Sequence, residues 1–353
     1  MVAIAKQVRK RLQKRGDSSP TLSDVATRAG VSTATVSRCL NAPKTVRPAM
    51  REKVEQAIDA LGYVPHGAAR ALASQRTHTI GAVIPTIDNA IFSKGLQALQ
   101  LRLGESEYTL LLATSEYDIG REREQVESLV TRGVDAMLLV GQLHAPQVHE
   151  LLLDKNIPYV HTWVFDGASD HPCVGFDNRE AARRIATYLL EIGHRDIGMI
   201  TPIAQGNDRA SDRILGVRNA FAAYDVELPA NRLLECPYSV AHARRRFRAI
   251  MSGESPPTAV ICSNDILALS AMIEGRALGL DIPGDVSVTG FADLEFAEHF
   301  EPGLTTMHIP GEEMGVCAAE YLLARLSDEP VPSNMEFEAS LIVRGTTGPP
   351  LVR

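Results

Sequence analysis

Thr21-Leu-Ser-Asp-Val-Ala-Thr-Arg-Ala-Gly-Val-Ser-Thr-Ala-Thr-Val-Ser-Arg-Cys-Leu-Asn41 is the stretch on which the reading of this chain turns. Thr21 precedes Leu22, Val25 and Ala26 at helical spacing, and Asp24 follows three residues on as a variant capping box. The spacing predicts a helix from Leu22 to Ala29. Gly30 can take the positive φ at which that helix must stop, and Ser32 can cap a second helix over Thr33 to Leu40. The pattern is helix, tight turn, helix. In such a motif the first residues of the second helix enter the DNA major groove, so Thr33 and Ala34 would face base edges, with Ser37 and Arg38 further along the same side. Val36 and Leu40 would point into the core. Two short helices around a glycine occur in many folds, so the motif needs support from outside itself.

That support begins with Arg47-Pro-Ala-Met-Arg-Glu-Lys-Val-Glu-Gln-Ala-Ile-Asp-Ala-Leu-Gly-Tyr63. Pro48 suits the first position of a third helix, Val54, Ala57, Ile58 and Leu61 form its apolar face, and Gly62 ends it. Three helices can close a small head. Next comes Val64-Pro-His-Gly-Ala-Ala-Arg-Ala-Leu-Ala-Ser-Gln75, where helix-forming alanines stand in place of the usual Pro, Gly and Ser of a linker. Strand-like Thr79-Ile-Gly-Ala-Val-Ile-Pro85 follows. Charge divides along the same line. Residues 1–76 hold 14 Lys and Arg against 5 Asp and Glu, whereas the remainder holds 22 against 38. A basic N-terminal segment is the electrostatic footprint of a polyanion partner, beside the plainer reading of a solvated face. Residues 1–20 carry Lys6, Arg9, Lys10, Arg11, Lys14 and Arg15, read as an arm adding phosphate contacts, with a frayed amphipathic helix and an inert tail as alternatives.

The 353 residues, 45% hydrophobic and 22% charged, suffice for two or three globular domains. Apolar runs such as Ala136 to Val140 fall far short of the roughly 20 residues of a membrane span. The N-terminus has no apolar export segment, so a cytoplasmic protein without membrane partners is expected. Five cysteines, odd in number and never in a C-x-x-C arrangement, argue against a disulfide framework and a zinc site. They read as reduced structural thiols.

The order T-L-x-D-V-A-x-x-A-G-V-S-x-x-T-V-S-R, R-x-K-V-x-x-A-x-x-x-L-G-Y-x-P and A-A-R-A-L closely resembles LacI/GalR regulators, over nearly the whole chain. The resemblance implies a DNA-binding transcription regulator, most often a repressor, that binds a near-palindromic operator as a homodimer under control of a small molecule. It also implies that residues 65–77 form a hinge helix on DNA, with Leu72 as a wedge in the minor groove. The other reading of Leu72, packing the head against the core, stays open. The DNA-facing set expected is Thr21, Ser32, Thr33, Ala34, Ser37, Arg38, Asn41, Tyr63, His66, Ala69 and Leu72. Arg47 departs from the family, which usually has a Ser or Thr cap there.

From residue 78 onward strands alternate with amphipathic helices: Ile80 to Ile84, Tyr108 to Ala113, Ala136 to Val140, Tyr159 to Trp163, Ile197 to Ile200, Ala259 to Cys262 and Val286 to Phe291. This alternation implies parallel sheets covered on both faces, with ligands bound beyond the carboxyl ends of the strands. The expected fold is an N-terminal all-α helix-turn-helix head with a hinge helix, then an α/β core of two subdomains like periplasmic binding proteins. The expected domains are an arm over 1–20, a head over 21–64, a hinge and linker over 65–77, and an effector-binding and dimerisation core over 78–353.

Strand ends nominate the effector contacts: Asn89, Ile91, Phe92, Trp163, Asn207, Arg209, Arg213, Asn264 and Asp293. The family resemblance assigns effector-binding positions to Arg213 and Asn264. Asp265 reads better as a helix N-cap than as a contact. At Gly290-Phe-Ala-Asp293 the chain departs from the family's G-Y/F-D-D/N, since Ala292 replaces the first acid. Losing a carboxylate while keeping Arg209 and Arg213 favours an anionic effector. Gly120-Arg-Glu-Arg-Glu-Gln125 and Val174-Gly-Phe-Asp-Asn-Arg-Glu-Ala-Ala182 also resemble gluconate-operon repressors of the family, so gluconate or a ketogluconate is expected, with a neutral sugar or a purine as the alternative. A binding protein without regulation is a remoter one. No cofactor is expected, because no G-x-G-x-x-G after a strand, P-loop, G-x-S-x-G or H-E-x-x-H is present. His161 and His194 invite catalytic readings, but His194 follows a helix end, where capping is the better account.

Overall fold

The computed structural model describes residues 20–41, 45–64 and 76–351. The chain divides between Thr77 and His78 into two compact units.

The first unit holds α1 (Leu22–Ala29), α2 (Thr33–Asn41) and α3 (Pro48–Leu61). The capping box at α1 forms: Asp24 N donates to Thr21 Oγ1 at 3.3 Å, and Thr21 N donates to Asp24 Oδ2 at 2.8 Å. Gly30 has φ +66°, and its N–H closes the helix on the carbonyls of Ala26 and Thr27. Ser32 Oγ accepts from Thr35 N at 3.2 Å, as expected of a cap. Arg47 makes no side-chain cap at α3, whose first position is Pro48. Val25, Ala26, Val36, Cys39, Val54 and Ala57 are buried together, with Leu40, Ile58, Leu61 and Tyr63 packed on them.

The second unit opens with β1 (Thr79–Ile84), α4 (Ser93–Glu105), β2 (Thr109–Thr114), α5 (Ile119–Thr131), β3 (Ala136–Val140), α6 (Pro146–Asp154), β4 (Tyr159–Thr162) and β5 (Cys173–Gly175). It continues through α7 (Asn178–Glu191), β6 (Ile197–Pro202), α8 (Asp208–Ala222), β7 (Leu233–Cys236), α9 (Val240–Met251), β8 (Ala259–Cys262), α10 (Asp265–Ala277) and β9 (Ser287–Thr289). Last come β10 (Thr306–His308), α11 (Gly311–Leu326), β11 (Asn334–Glu336) and β12 (Ser340–Ile342). Strands order as β11-β5-β4-β3-β1-β2 in one sheet and β7-β6-β8-β9 in another. Every pairing within these two sheets is parallel. The chain crosses from the first lobe to the second after β5, returns through α11, which packs on α4 and the first sheet, and comes back to pair β12 with β10. Both lobes therefore contribute strand ends to one cleft, as the doubly wound pattern predicts.

The long apolar runs at 136–140 and 259–262 are strands with the expected bounds. Other ends shift. β4 stops at Thr162 because Trp163 takes φ +59°, and the run from Val286 to Phe291 keeps only three residues in the ladder. Strands β5, β7, β10, β11 and β12 are three or four residues long and, unlike the equally short β8, each includes a polar residue or glycine, so they leave neither a continuous apolar run nor a period-two signature. All five cysteines are free, four of them buried and Cys317 half-buried. Among the described residues no helix is long and apolar enough to cross a membrane.

Candidate functional site

On α2, Thr33, Ala34 and Arg38 are exposed and Ser37 is half-buried, on the face opposite buried Val36 and Cys39. Ser32 and Thr21 are exposed beside them at the helix N-termini, while Tyr63 is half-buried against the head's core. Of the remaining DNA-facing expectations, the side chain of Asn41 and all of His66, Ala69 and Leu72 lie outside the described residues, as does the arm over 1–19.

In the second unit a cavity of about 700 Å³ lies between the lobes, in the range of small-molecule sites. Asn89 and Asn207 line it, each held by capping: Asn89 Oδ1 accepts from Ile91 N at 3.3 Å and Asn207 Oδ1 from Ala210 N at 3.3 Å. Tyr117, after β2, and Tyr238, after β7, also line it and stack with ring centroids 5.9 Å apart. Asp88, Glu116 and Asp118 add an acidic rim. Sequence reasoning missed Tyr238 because β7 itself was missed, whereas Tyr117 stood in plain sight past the end of β2.

Arg213 lies in the first half of α8. Its Nε donates to Asn178 Oδ1 at 2.9 Å, its Nη1 to Ser263 O at 2.8 Å, and its guanidinium lies 3.9 Å from the centroid of the Phe291 ring. Burial lowers its pKa to about 10, which leaves it cationic at neutral pH. Among the described residues no carboxylate pairs with it. Asn264 is 0% exposed and caps Ile266 N at 2.8 Å, so its Nδ2 is a buried donor without a hydrogen-bond partner. Asn264, not Asp265, is thus the N-cap of α10. The Asp265 carboxylate instead accepts from Thr306 Oγ1 at 2.6 Å and Leu294 N at 2.7 Å, and burial raises its pKa to about 6.

Other expected contacts are engaged elsewhere. Trp163 is 2% exposed and meets Phe92 edge to face in the core, although its Nε1 also lacks a partner. Ile91 packs against the same core. Asp293 is tied to Arg344 at 2.8 Å and His308 at 3.0 Å. Arg209 pairs with Asp208 at 2.7 Å and donates to Val140 O at 3.2 Å. His194 does not cap with its ring, which meets Thr258 Oγ1 at 2.8 Å, Ser287 Oγ at 3.2 Å and Gly348 O at 2.9 Å. His161 stands in a cluster with His144, His149 and His171, its Nε2 3.0 Å from that of His149. Among the described residues no group of three or more His, Cys, Asp or Glu is arranged to hold a metal ion.

Residues 21–66 match the model of the bacterial regulatory proteins of the lacI family, and residues 186–347 match that of the periplasmic binding protein-like domain. The transcriptional repressor PurR of Pectobacterium carotovorum is 33% identical over 327 residues, covering 92% of this chain and 96% of its own. The chain belongs to the LacI family. The HTH-type transcriptional regulator GntR of Escherichia coli K12 is 32% identical over 320 residues, covering 90% of this chain and 95% of its own. The lac repressor dimer bound to operator and the anti-inducer ONPF superposes with a TM-score of 0.83 at 25% identity, covering 94% of this chain and all of that one. This LacI-family chain is a DNA-binding transcriptional repressor with an effector-binding domain.

Proposed function

We propose that this repressor binds a near-palindromic operator as a cytoplasmic homodimer and answers to a sugar acid, gluconate or a ketogluconate. The observation that carries the ligand class is Arg213, a buried cation on the helix whose N-cap, Asn207, lines the cavity, and among the described residues no carboxylate forms an ion pair with it. A buried charge without a counter-ion is costly, and a bound carboxylate would supply the missing partner. The acidic rim of Asp88, Glu116 and Asp118 can accept hydrogen bonds from a polyol chain, which a sugar acid carries at its other end. Asn89, Asn207, Arg213 and Asn264 are the effector contacts in this reading, joined by Tyr117 and Tyr238. In the head, Thr33, Ala34, Ser37 and Arg38 face bases, and Thr21, Ser32, Asn41 and Tyr63 are further DNA contacts. Residues 65–77 are the hinge, with Leu72 as the minor-groove wedge and His66 and Ala69 as further DNA contacts.

The stacked pair Tyr117 and Tyr238 favours a second reading, a purine held against aromatic rings, and PurR proteins are among the relatives. Fluorescence anisotropy on the DNA upstream of the protein's own gene, with and without gluconate or hypoxanthine, separates the two. Specific binding that changes with gluconate alone supports the sugar acid. A response to hypoxanthine alone replaces it with the purine, and no saturable binding to any fragment removes the operator reading.

A further inference from the structure

The two lobes of the cleft meet at a contact that the effector pocket does not require. β3 ends at Val140 and runs into Gly141-Gln142-Leu143, whereas α8 begins at Asp208 and belongs to the other lobe. The Asp208 carboxylate accepts from the backbone N–H groups of Gln142 and of Leu143, the latter at 3.2 Å, and from Arg209 N at 2.9 Å. Arg209 Nη1 binds the same carboxylate and reaches back to Val140 O at 3.2 Å. Glycine at residue 141 suits this approach. It has φ +98°, a backbone conformation that other residues rarely adopt, and a Cβ there would crowd Arg209 Nη1 and lie 2.8 Å from Asp208 Oδ2. Behind the loop, the His144 ring bridges Gly141 O at 3.0 Å and Glu122 Oε2 at 2.9 Å, which braces the strand end against α5.

We propose that Asp208 and Arg209 form a clasp that sets the population of the closed cleft, with Asp208 a positioning residue for the effector rather than a contact. The parts ride on different sheets, so these hydrogen bonds exist only when the lobes are together. Charge-assisted hydrogen bonds to backbone N–H groups are among the stronger polar contacts, and an anion in the first turn of a helix is further favoured by the helix dipole. Burial pushes the Asp208 carboxyl up, but Arg209 and the backbone donors outweigh it and hold its pKa below the ordinary carboxylate value. Asn207, Asp208, Arg209 and Arg213 share one stretch of α8 and its cap. A ligand that draws on Arg213 therefore draws on the clasp, and closure and binding favour each other. That last step rests on the effector reading above, while the clasp rests on its own contacts.

Hydrogen exchange of the full chain, read over residues 140–145, tests the clasp without any ligand. Asp208→Ala is expected to speed exchange at the Gln142 and Leu143 amides by about tenfold or more, the loss expected for charge-assisted hydrogen bonds. Gly141→Ala reaches the same end from the opposite lobe and leaves Asp208 intact, and Asp208→Asn, which keeps one acceptor oxygen, falls between. The change should be confined to residues 141–143. Exchange rates equal to wild type in both Asp208→Ala and Gly141→Ala overturn the clasp, as does a uniform rise across β3 and α8, which marks general loosening. Adding sodium gluconate to the wild type should slow the same amides. If gluconate has no effect there while the substitutions do, the clasp stands and the sugar-acid reading falls.

Discussion

The head and the cleft are built on opposite plans. In the head the helix ends are set by neighbours within five residues: Thr21 and Asp24 cap α1, Gly30 stops it, Ser32 caps α2, and the outward face is what remains once Val36 and Cys39 turn inward to the three-helix core. In the cleft, residues arrive from strand ends far apart in sequence and are first spent on one another. Arg209 is committed to Asp208 and Val140, Asp293 to Arg344 and His308, and Asn178 bridges Arg213 to the carbonyl of Trp163. The lesson is that an arginine past a strand end is no evidence of a ligand until its local partners are counted. By that count Arg209 and Arg213, one turn apart on α8, part company, and only Arg213 is left without a carboxylate.

If the two plans are independent, damage to one should leave the other working. The largest effect is expected from Arg213→Gln, which removes the cation and leaves the head untouched. Gluconate affinity should fall by about 100-fold, on the scale of truncating a buried charged partner, while operator affinity without effector stays at the wild-type level. Calorimetry and anisotropy on the same preparation check both halves, and an unchanged gluconate affinity breaks the assignment.

Acid should reach the core and spare the head, because the described head carries no histidine. Burial, reinforced by the neighbouring imidazoles, lowers the pKa of His161 to about 2 and of His149 to about 4. The Tyr159 hydroxyl and the Glu122 carboxylate face the same cluster. Both rings stay neutral when folded and take up protons near pH 6.5 when unfolded. Their contribution is therefore full above about pH 6.5 and is lost as pH falls toward the folded values. His161 alone, almost wholly buried, accounts for about 3 kcal/mol lost near pH 4.5, at about 1.4 kcal/mol per pH unit. Urea unfolding of the core, followed by the fluorescence of Trp163, should show its midpoint dropping over this range. A midpoint flat from pH 7 to about 4.5 contradicts the burial of the cluster.

The smallest effect belongs to the head. Thr21→Ala breaks the capping box and should cost about 1 kcal/mol, the usual value of an N-cap. Operator affinity should weaken by a few-fold as α1 frays, with gluconate affinity unchanged. A matching loss in gluconate binding would mean that the cap acts beyond the head.

How far the sequence could be read follows the same division. Helix bounds in the head were legible to within a residue, because caps and glycines are local signals. In the core the longer buried strands were legible from composition, since a parallel strand covered on both faces is a continuous apolar run. Short strands interrupted by a polar residue or glycine were not, and with β7 went Tyr238. Trp163 read as a ligand platform because it ends an apolar run. Only the fold shows its ring turned inward against Phe92.

The sequence by itself determined the class of the molecule: a basic three-helix head, an acidic doubly wound core, and a family signature spread over nearly the whole chain. The tertiary structure alone decided which charges are free. Ion pairs such as Asp293 with Arg344 and contacts such as Asp208 with Gln142 join residues about 50 or more positions apart, and no local pattern encodes them. Burial then sets what each contact is worth, because water screens an exposed charge, whereas a buried one must find its counter-charge in the protein or in a ligand.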